Sequence, residues 1–475
     1  MKRGVVRNRA STACAVLALT VPFFVYVCSL MPSFGFGDIG EMQTVPYIFG
    51  VPHPTGFPTF VIIAGVFAHL FPIGNVAWRI NLFSALAVAV SAWALFAALR
   101  EVEVLPVASL SAALVFAFTQ AVWFHATRAD VHDFVLCFEA ITFLYVMRWR
   151  VRGRIRDLVL GCIAVGVALA THPLALWALP GLLVLVLTGT RRIPARVIPS
   201  AIGALLAPLL LYCYIPLRSA EVSALRRDPT VALGLPPGQP FWDYAHTSGG
   251  IGNLMWFLSG AQFSPDRAIF ALLSPSRIIY AIVHGESFAF HQLLVVAFII
   301  ASISALMLLV AEPSLAIGSL LAGGLVLPFT FAYSIEGDPT SYLLFVLWIL
   351  AFVLGTGSAR LYRAPKSLTA AVVLLLALGL FWANRGIFNE RNDVRAPAYV
   401  RDVLSQTPDN AIVVAPWVLA TPIAYCIYIE HRCGGRLLVT AKLERSVFRT
   451  IRSLTARPIY EVKDRKPMPI VKEIR

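Results

Sequence analysis

The feature that most limits this chain is a series of apolar runs, each close to the length that crosses a bilayer. The first, from Ala13 to Met31, holds no charged residue. Others fall at about 77–99, 104–124, 133–148, 197–216, 288–310, 314–334, 341–358 and 367–384, with shorter runs at about 157–171 and 174–190. A helix of ~20 apolar residues covers the ~30 Å of hydrocarbon at 1.5 Å per residue. Backbone polar groups in lipid must pair within their own segment, so runs of this length are read as helices. With 58% hydrophobic and 13% charged residues, the chain reads as a polytopic membrane protein rather than a soluble globule. The net charge of +14 does not point to nucleic acid, because Lys and Arg in such a chain mostly set orientation.

Lys2, Arg3, Arg7 and Arg9 precede the first run, which places the N-terminus in the cytoplasm. The 57–71 run is too short for an upright span and is read as a partial or re-entrant helix. On that path Arg148, Arg150, Arg152, Arg154 and Arg156 face the cytoplasm. So do Arg191, Arg192 and Arg196, and Arg360, Arg363 and Lys366. A crossing at 57–71 would put the first arginine run outside, against the positive-inside tendency. The expected fold class is therefore an all-α polytopic membrane protein of about eleven transmembrane helices over residues 1–385. Residues 33–76 form a first outer loop, and 217–287 a long outer segment. Residues 386–475 alternate short apolar and charged stretches, such as AIVVAPWVLA and RLLVTA, and read as a small extracytoplasmic α/β domain. That tail carries 15 Lys/Arg against 9 Asp/Glu, a net of +6, which suits contact with anionic head groups. The expected location is the plasma (inner) membrane. Cys426 and Cys433 lie in the tail, and their pairing is left open; the other five cysteines lie in or beside apolar runs.

Between the first two apolar runs lies GFGDIGEMQTVPYIFGVPHPTGFP, residues 35–58. Asp38 and Glu41 are one helical turn apart and share a face. Pro52, Pro54, Gly56 and Pro58 around His53 break any regular helix and shape a turn. Carboxylates beside the hydrocarbon are expensive and suggest function. The same pattern also fits a solvated loop in which Asp38 merely caps a short helix. Other polar residues fall on the same outer side: His125, Arg128, Asp130, His132 and Asp133 in WFHATRADVHDF, then His172, Arg218, and Glu336 with Asp338. The cytoplasmic loops hold mostly arginine. Carboxylates, imidazoles and arginines converging on one face suggest a site there.

In these stretches the chain resembles the polytopic GT-C glycosyltransferases. The resemblance is to the branch containing the transmembrane protein O-mannosyltransferase of plexin-type receptors and its bacterial relatives. That branch has Asp-x-Gly-Glu, then His-Pro-Pro-Gly-Tyr-Pro, then Arg-x-Asn with Ser nearby. Here these are Asp38-Ile39-Gly40-Glu41, His53-Pro54-Thr55-Gly56-Phe57-Pro58, and Arg79-Ile80-Asn81 with Ser84. VWFHATRADVHDF is similar to the family's turn with Ala-Glu-Val-Tyr, Asp130 standing at the Glu position and His132 at the Tyr position. ATHP, YIPLRS and LSGAQF also resemble family stretches.

The resemblance implies a glycosyltransferase that takes a mannose-like sugar from a polyprenyl-phosphate donor. The acceptor is a hydroxyl of a protein Ser/Thr or a cell-envelope glycan at the outer face. The lipid-linked sugar is a co-substrate, and inversion by single displacement is expected. Asp38 is the expected general base, supported by Glu41. Arg128 and Arg218 suit the departing phosphate, because guanidinium binds it in a fork. His53, Asp130 and His172 are expected to bind or orient substrate. No cofactor is assigned with certainty; a divalent metal is allowed, but no ligand cluster stands out in the sequence. The alternative is a transporter or lipid flippase, which predicts ionisable residues near the midplane and two related halves.

Overall fold

The computed structural model describes residues 9–224, 250–260, 295–332, 339–360, 366–440, 445–463 and 470–474. Glu336, Asp338 and most of the 217–287 segment lie outside the described residues. The chain is mostly helical, and it is a multi-pass membrane protein. Among the described residues, six helices are long and apolar enough to cross a membrane, or seven if a bent pair counts as one span.

Helix α1, Arg9–Ser29, has no charge after Arg9 and leads into the first loop. Tyr26 anchors it, its hydroxyl donating to the Ala117 carbonyl at 2.8 Å. The loop carries α2, Asp38–Thr44, and then α3, Pro58–Leu70. Proline at the first position of α3 starts the helix where no N–H partner is needed. Its 13 residues reach only ~20 Å, and it packs on the helices Val76–Glu101 and Ile155–Thr171 rather than standing alone.

Helix α4, Val76–Glu101, is the central rod and is largely buried. Asn75 caps it, accepting from the Trp78 N–H at 2.8 Å. The expected straight span at 104–124 is instead two helices, α5 Pro106–Ala117 and α6 Gln120–Ala126, bent by 72°. Helix α7, Val131–Arg152, starts at an Asp130 cap and ends at Gly153, whose positive φ suits glycine. Helix α8, Ile155–Thr171, stops as expected at His172-Pro173, since the residue before proline is driven out of helical geometry.

The tail contains a four-stranded sheet of order β2-β1-β3-β4. Strand β1 is Ile412–Ala415, β2 Leu437–Thr440, β3 Ile459–Lys463 and β4 Ile470–Ile474. β1 runs parallel to β2 and β3, and β4 is antiparallel to β3. The strand expected from AIVVAPWVLA ends at Ala415; after Pro416 the chain turns into the helix Trp417–Tyr425. That crossover helix packs on α2. Phe34 stacks on Tyr425 at 4.5 Å, and the Tyr425 hydroxyl accepts from the Ala77 N–H at 3.0 Å. Cys426 and Cys433 form a disulfide.

Candidate functional site

The first loop is fixed from below by a side-chain amide ladder. Gln43 donates to Asn81 at 2.8 Å and accepts from the Gly35 N–H at 2.8 Å; Asn81 donates to the Met31 carbonyl at 2.9 Å. Arg79 donates to the carbonyls of Ala68 and Gly74 at 3.0 and 2.9 Å, closing the end of α3. Arg79 and Asn81 therefore build the loop's frame.

On that frame α2 presents two carboxylates in different environments. Glu41 is fully buried, and its two oxygens hold His53, one through the backbone N–H at 2.9 Å and the other through Nδ1. Burial raises the Glu41 carboxyl above its ordinary range, against the pull of His53. Burial also works against a charged imidazole. Even so, the charge and hydrogen bond of Glu41 outweigh it and push His53 up to about 9. At neutral pH His53 therefore carries its second proton, held against Glu41. Asp38 is exposed, and its Oδ1 accepts from the Trp417 indole N–H at 3.3 Å. One ligand atom from each of Asp38, Glu41 and His53 lies within 4.8 Å of the others, a three-residue metal-capable cluster that the sequence did not reveal.

A second cluster sits at the α6–α7 turn. Asp130 caps α7 and receives two imidazoles: His125 Nδ1 on Oδ2 at 2.6 Å and His132 Nδ1 on Oδ1 at 2.8 Å. Burial would raise this carboxyl, but His132 and His125 hold it well below the usual range. His125 Nε2 meets the Thr340 hydroxyl at 3.0 Å.

A chain of rings joins the two clusters. His53 meets Phe57 edge-on at 5.0 Å, Phe57 stacks on His172 at 5.3 Å, and His172 lies 5.1 Å from His132. Tyr342 closes the far side, 4.8 Å from His132. His172 Nδ1 accepts the Leu174 N–H at 3.0 Å, so its proton resides on Nε2. Burial, with His132 and His53 nearby, depresses His172 well below its ordinary value and keeps it neutral.

Asp38, Glu41, His53, Asp130 and His172 are therefore brought together. The two arginines are engaged elsewhere. Arg128 pairs with Glu390 at 2.7 Å and stacks on Phe124. Arg218 donates to the Ile48 and Phe49 carbonyls and pairs with Glu221 at 2.6 Å. Sequence reasoning left out Trp417 and Tyr342, and gave Phe57 a place in the motif but no role. It noted His125 and His132 without giving them a role; the His-x4-Asp-x-His spacing is the signal that links them.

The fold is that of the GT-C glycosyltransferases. The chain superposes on ArnT from Cupriavidus metallidurans, bound to undecaprenyl phosphate, with a TM-score of 0.53 at 12% identity, covering 95% of this chain and 93% of ArnT. The apo form of the same protein gives 0.51 at 13% identity, with the same coverage. Residues 38–193 match the family model described as the Protein O-mannosyl-transferase TMEM260 N-terminal domain. Protein O-mannosyl-transferase TMEM260 of Mus musculus is 31% identical over 225 residues, 46% of this chain and 30% of the relative. The Dictyostelium discoideum relative of the same name is 28% identical over 148 residues, 30% of this chain and 18% of that protein. The chain thus aligns with under a third of the length of these curated relatives.

Proposed function

We propose that this chain is a membrane glycosyltransferase. It moves a mannose-like monosaccharide from a polyprenyl-phosphate donor to a hydroxyl of a protein or cell-envelope glycan. The observation that carries this reading is one exposed carboxylate, Asp38, beside a buried Glu41–His53 ion pair, in a domain of the TMEM260 type. The names of the relatives support sugar transfer, and the undecaprenyl phosphate bound to ArnT supports a lipid phosphate donor.

In this mechanism Asp38 takes the proton of the acceptor hydroxyl as oxygen attacks the anomeric carbon. The bond to the lipid phosphate breaks on the opposite face, and the phosphate leaves as its anion, so no strong general acid is needed. Glu41 does not act as a base, because both its oxygens hold His53. His53 then provides a fixed positive charge near the departing phosphate, the role the engaged arginines leave open. Asp130 and His172 orient the rings that line the sugar. A divalent cation would be held by Asp38, Glu41 and His53 only with His53 neutral, and its charge would then stand in for that of the imidazolium.

The site works at the outer face of the inner membrane, with the N-terminus in the cytoplasm and the domain boundary near residue 385. The Asp38–Trp417 contact supports placing the first loop and the tail on one side of the membrane. The Cys426–Cys433 disulfide suits an oxidising compartment. The test is to supply radiolabelled polyprenyl-phosphate mannose to membranes with and without the chain. Label is then followed into protein, glycolipid and glycan fractions. Chain-dependent transfer identifies the acceptor class; transfer that is the same in both membranes rules the reading out for this donor.

A further inference from the structure

We infer that His132 Nε2 is the ligand that holds an oxygen of the donor's phosphate, a role that rests on the glycosyltransferase reading. Asp130 receives three donors: the His132 N–H at 2.8 Å, His132 Nδ1 at 2.8 Å and His125 Nδ1 at 2.6 Å. A carboxylate on Nδ1 fixes the ring and leaves Nε2 as its working atom. His125 Nε2 is already engaged by Thr340 at 3.0 Å. His132 Nε2 is shielded from solvent and has no partner among the described residues. Native proteins seldom leave such an atom unpaired, and each case calls for a missing water, ion or ligand.

Its surroundings select the ligand. The ring lies against His172 and Tyr342, and through Phe57 it is connected to His53 beside Asp38. The ring that carries this unpaired Nε2 thus belongs to the same series of ring contacts that leads to the proposed base. Arg128 and Arg218, the guanidinium groups nearest in sequence to these motifs, are paired with Glu390 and Glu221. Two imidazoles share the single charge of Asp130. Because Nδ1–H stays on Asp130, an anionic oxygen brought to Nε2 draws the ring's second proton there, and Nε2–H is then the donor with no other partner among the described residues. That donor suits an anionic phosphoryl oxygen, where a charge-assisted hydrogen bond is strongest. His132 is a binding residue in this scheme; no bond to it forms or breaks.

The experiment uses the full chain in lipid nanodiscs and measures binding of a polyprenyl monophosphate, of the matching polyprenol, and of inorganic phosphate as competitor. Wild type should bind the phosphate lipid at least tenfold more tightly than the alcohol. His132→Phe, which keeps the ring and removes both nitrogens, should abolish most of that preference while polyprenol binding stays the same. His132→Gln, which keeps a donor, should recover part of it. If His132→Phe is not recovered folded, His132→Gln against Asp130→Asn provides the comparison: the first should retain more of the phosphate preference. Displacement by millimolar inorganic phosphate assigns the site to free phosphate instead of the lipid and overturns the lipid assignment. Undiminished preference in a folded His132→Phe overturns the inference. Because binding requires no turnover, a chain that binds the phosphate lipid through His132 yet transfers no sugar overturns only the glycosyltransferase reading.

Discussion

The indole N–H of Trp417 donates to the carboxylate of Asp38 at 3.3 Å, across a separation of 379 residues. The first loop and the tail therefore meet at the proposed base. Trp417 also stands edge-on to His53 at 6.2 Å. Trp417→Phe keeps the aromatic face and removes the donor. A hydrogen bond to a charged group contributes ~1.5–3 kcal/mol, so kcat should fall by about tenfold or more with little change in melting temperature. Unchanged kcat would show that the contact does not position Asp38.

Glycine at position 40 permits this docking. A Cβ there would lie 2.6 Å from the Gly35 carbonyl oxygen and 2.9 Å from Thr421 Oγ1. The first of these is backbone and cannot swing away. Gly40→Ala should destabilise the folded chain by ~1–3 kcal/mol, and it should lower transfer by shifting α2 off the tail. A melting curve matching wild type would show that the approach is looser than this.

The Glu41–His53 pair makes stability depend on pH. His53 is raised from 6.5 to about 9 in the folded chain. Its contribution is therefore complete below pH 6.5 and is lost as pH rises through about 9. Thermal melts of the detergent-solubilised chain should fall between pH 7 and 10 in wild type and flatten in Glu41→Gln. Glu41→Gln should also lower stability at pH 7, since one partner of a buried pair is left alone, at a cost of ~3–5 kcal/mol. Parallel pH curves for the two chains contradict the assignment.

Arg128 is 7% exposed and tied to Glu390, with its guanidinium over the Phe124 ring. Its role is to pin the α6–α7 turn to the segment that enters the tail. Arg128→Lys loses the planar fork and the stacking. It should lower melting temperature and leave the donor KM within about twofold, as should Glu390→Gln. A selective rise in donor KM for Arg128→Lys would return that residue to the phosphate.

The hydropathy pattern made the membrane character and most helix positions legible, because burial in lipid demands long apolar runs whatever the partner helix. The first loop was legible for a different reason: Pro52, Pro54 and Pro58 exclude regular helix, and the carboxylates beside them need a cause. The bend between α5 and α6 was not legible. Phe118 and Thr119 at the break are neither glycine nor proline, so local sequence carries no punctuation there. Arg128 and Arg218 looked like phosphate ligands because most of what engages them lies far off in sequence, Glu221 beside Arg218 being the near exception. Glu390 lies 262 residues from Arg128, and the Arg218 carbonyl acceptors lie back in the first loop. Trp417 was missed for the same reason: a tail residue that reaches the base by tertiary docking leaves no periodic trace. The His125–Asp130–His132 unit was readable as a cluster, but which nitrogen stays unpaired depends on Thr340, over 200 positions away.

The most direct test of the central claim compares wild type with Asp38→Asn at equal abundance in membranes supplied with the same labelled polyprenyl-phosphate sugar. Asparagine preserves size and the capacity to accept from Trp417, and removes the base. Transfer should drop by about 10²–10⁴-fold while melting temperature and polyprenyl phosphate binding stay at wild-type values. Equal transfer by the two chains contradicts the account and removes Asp38 as the group that takes the acceptor's proton.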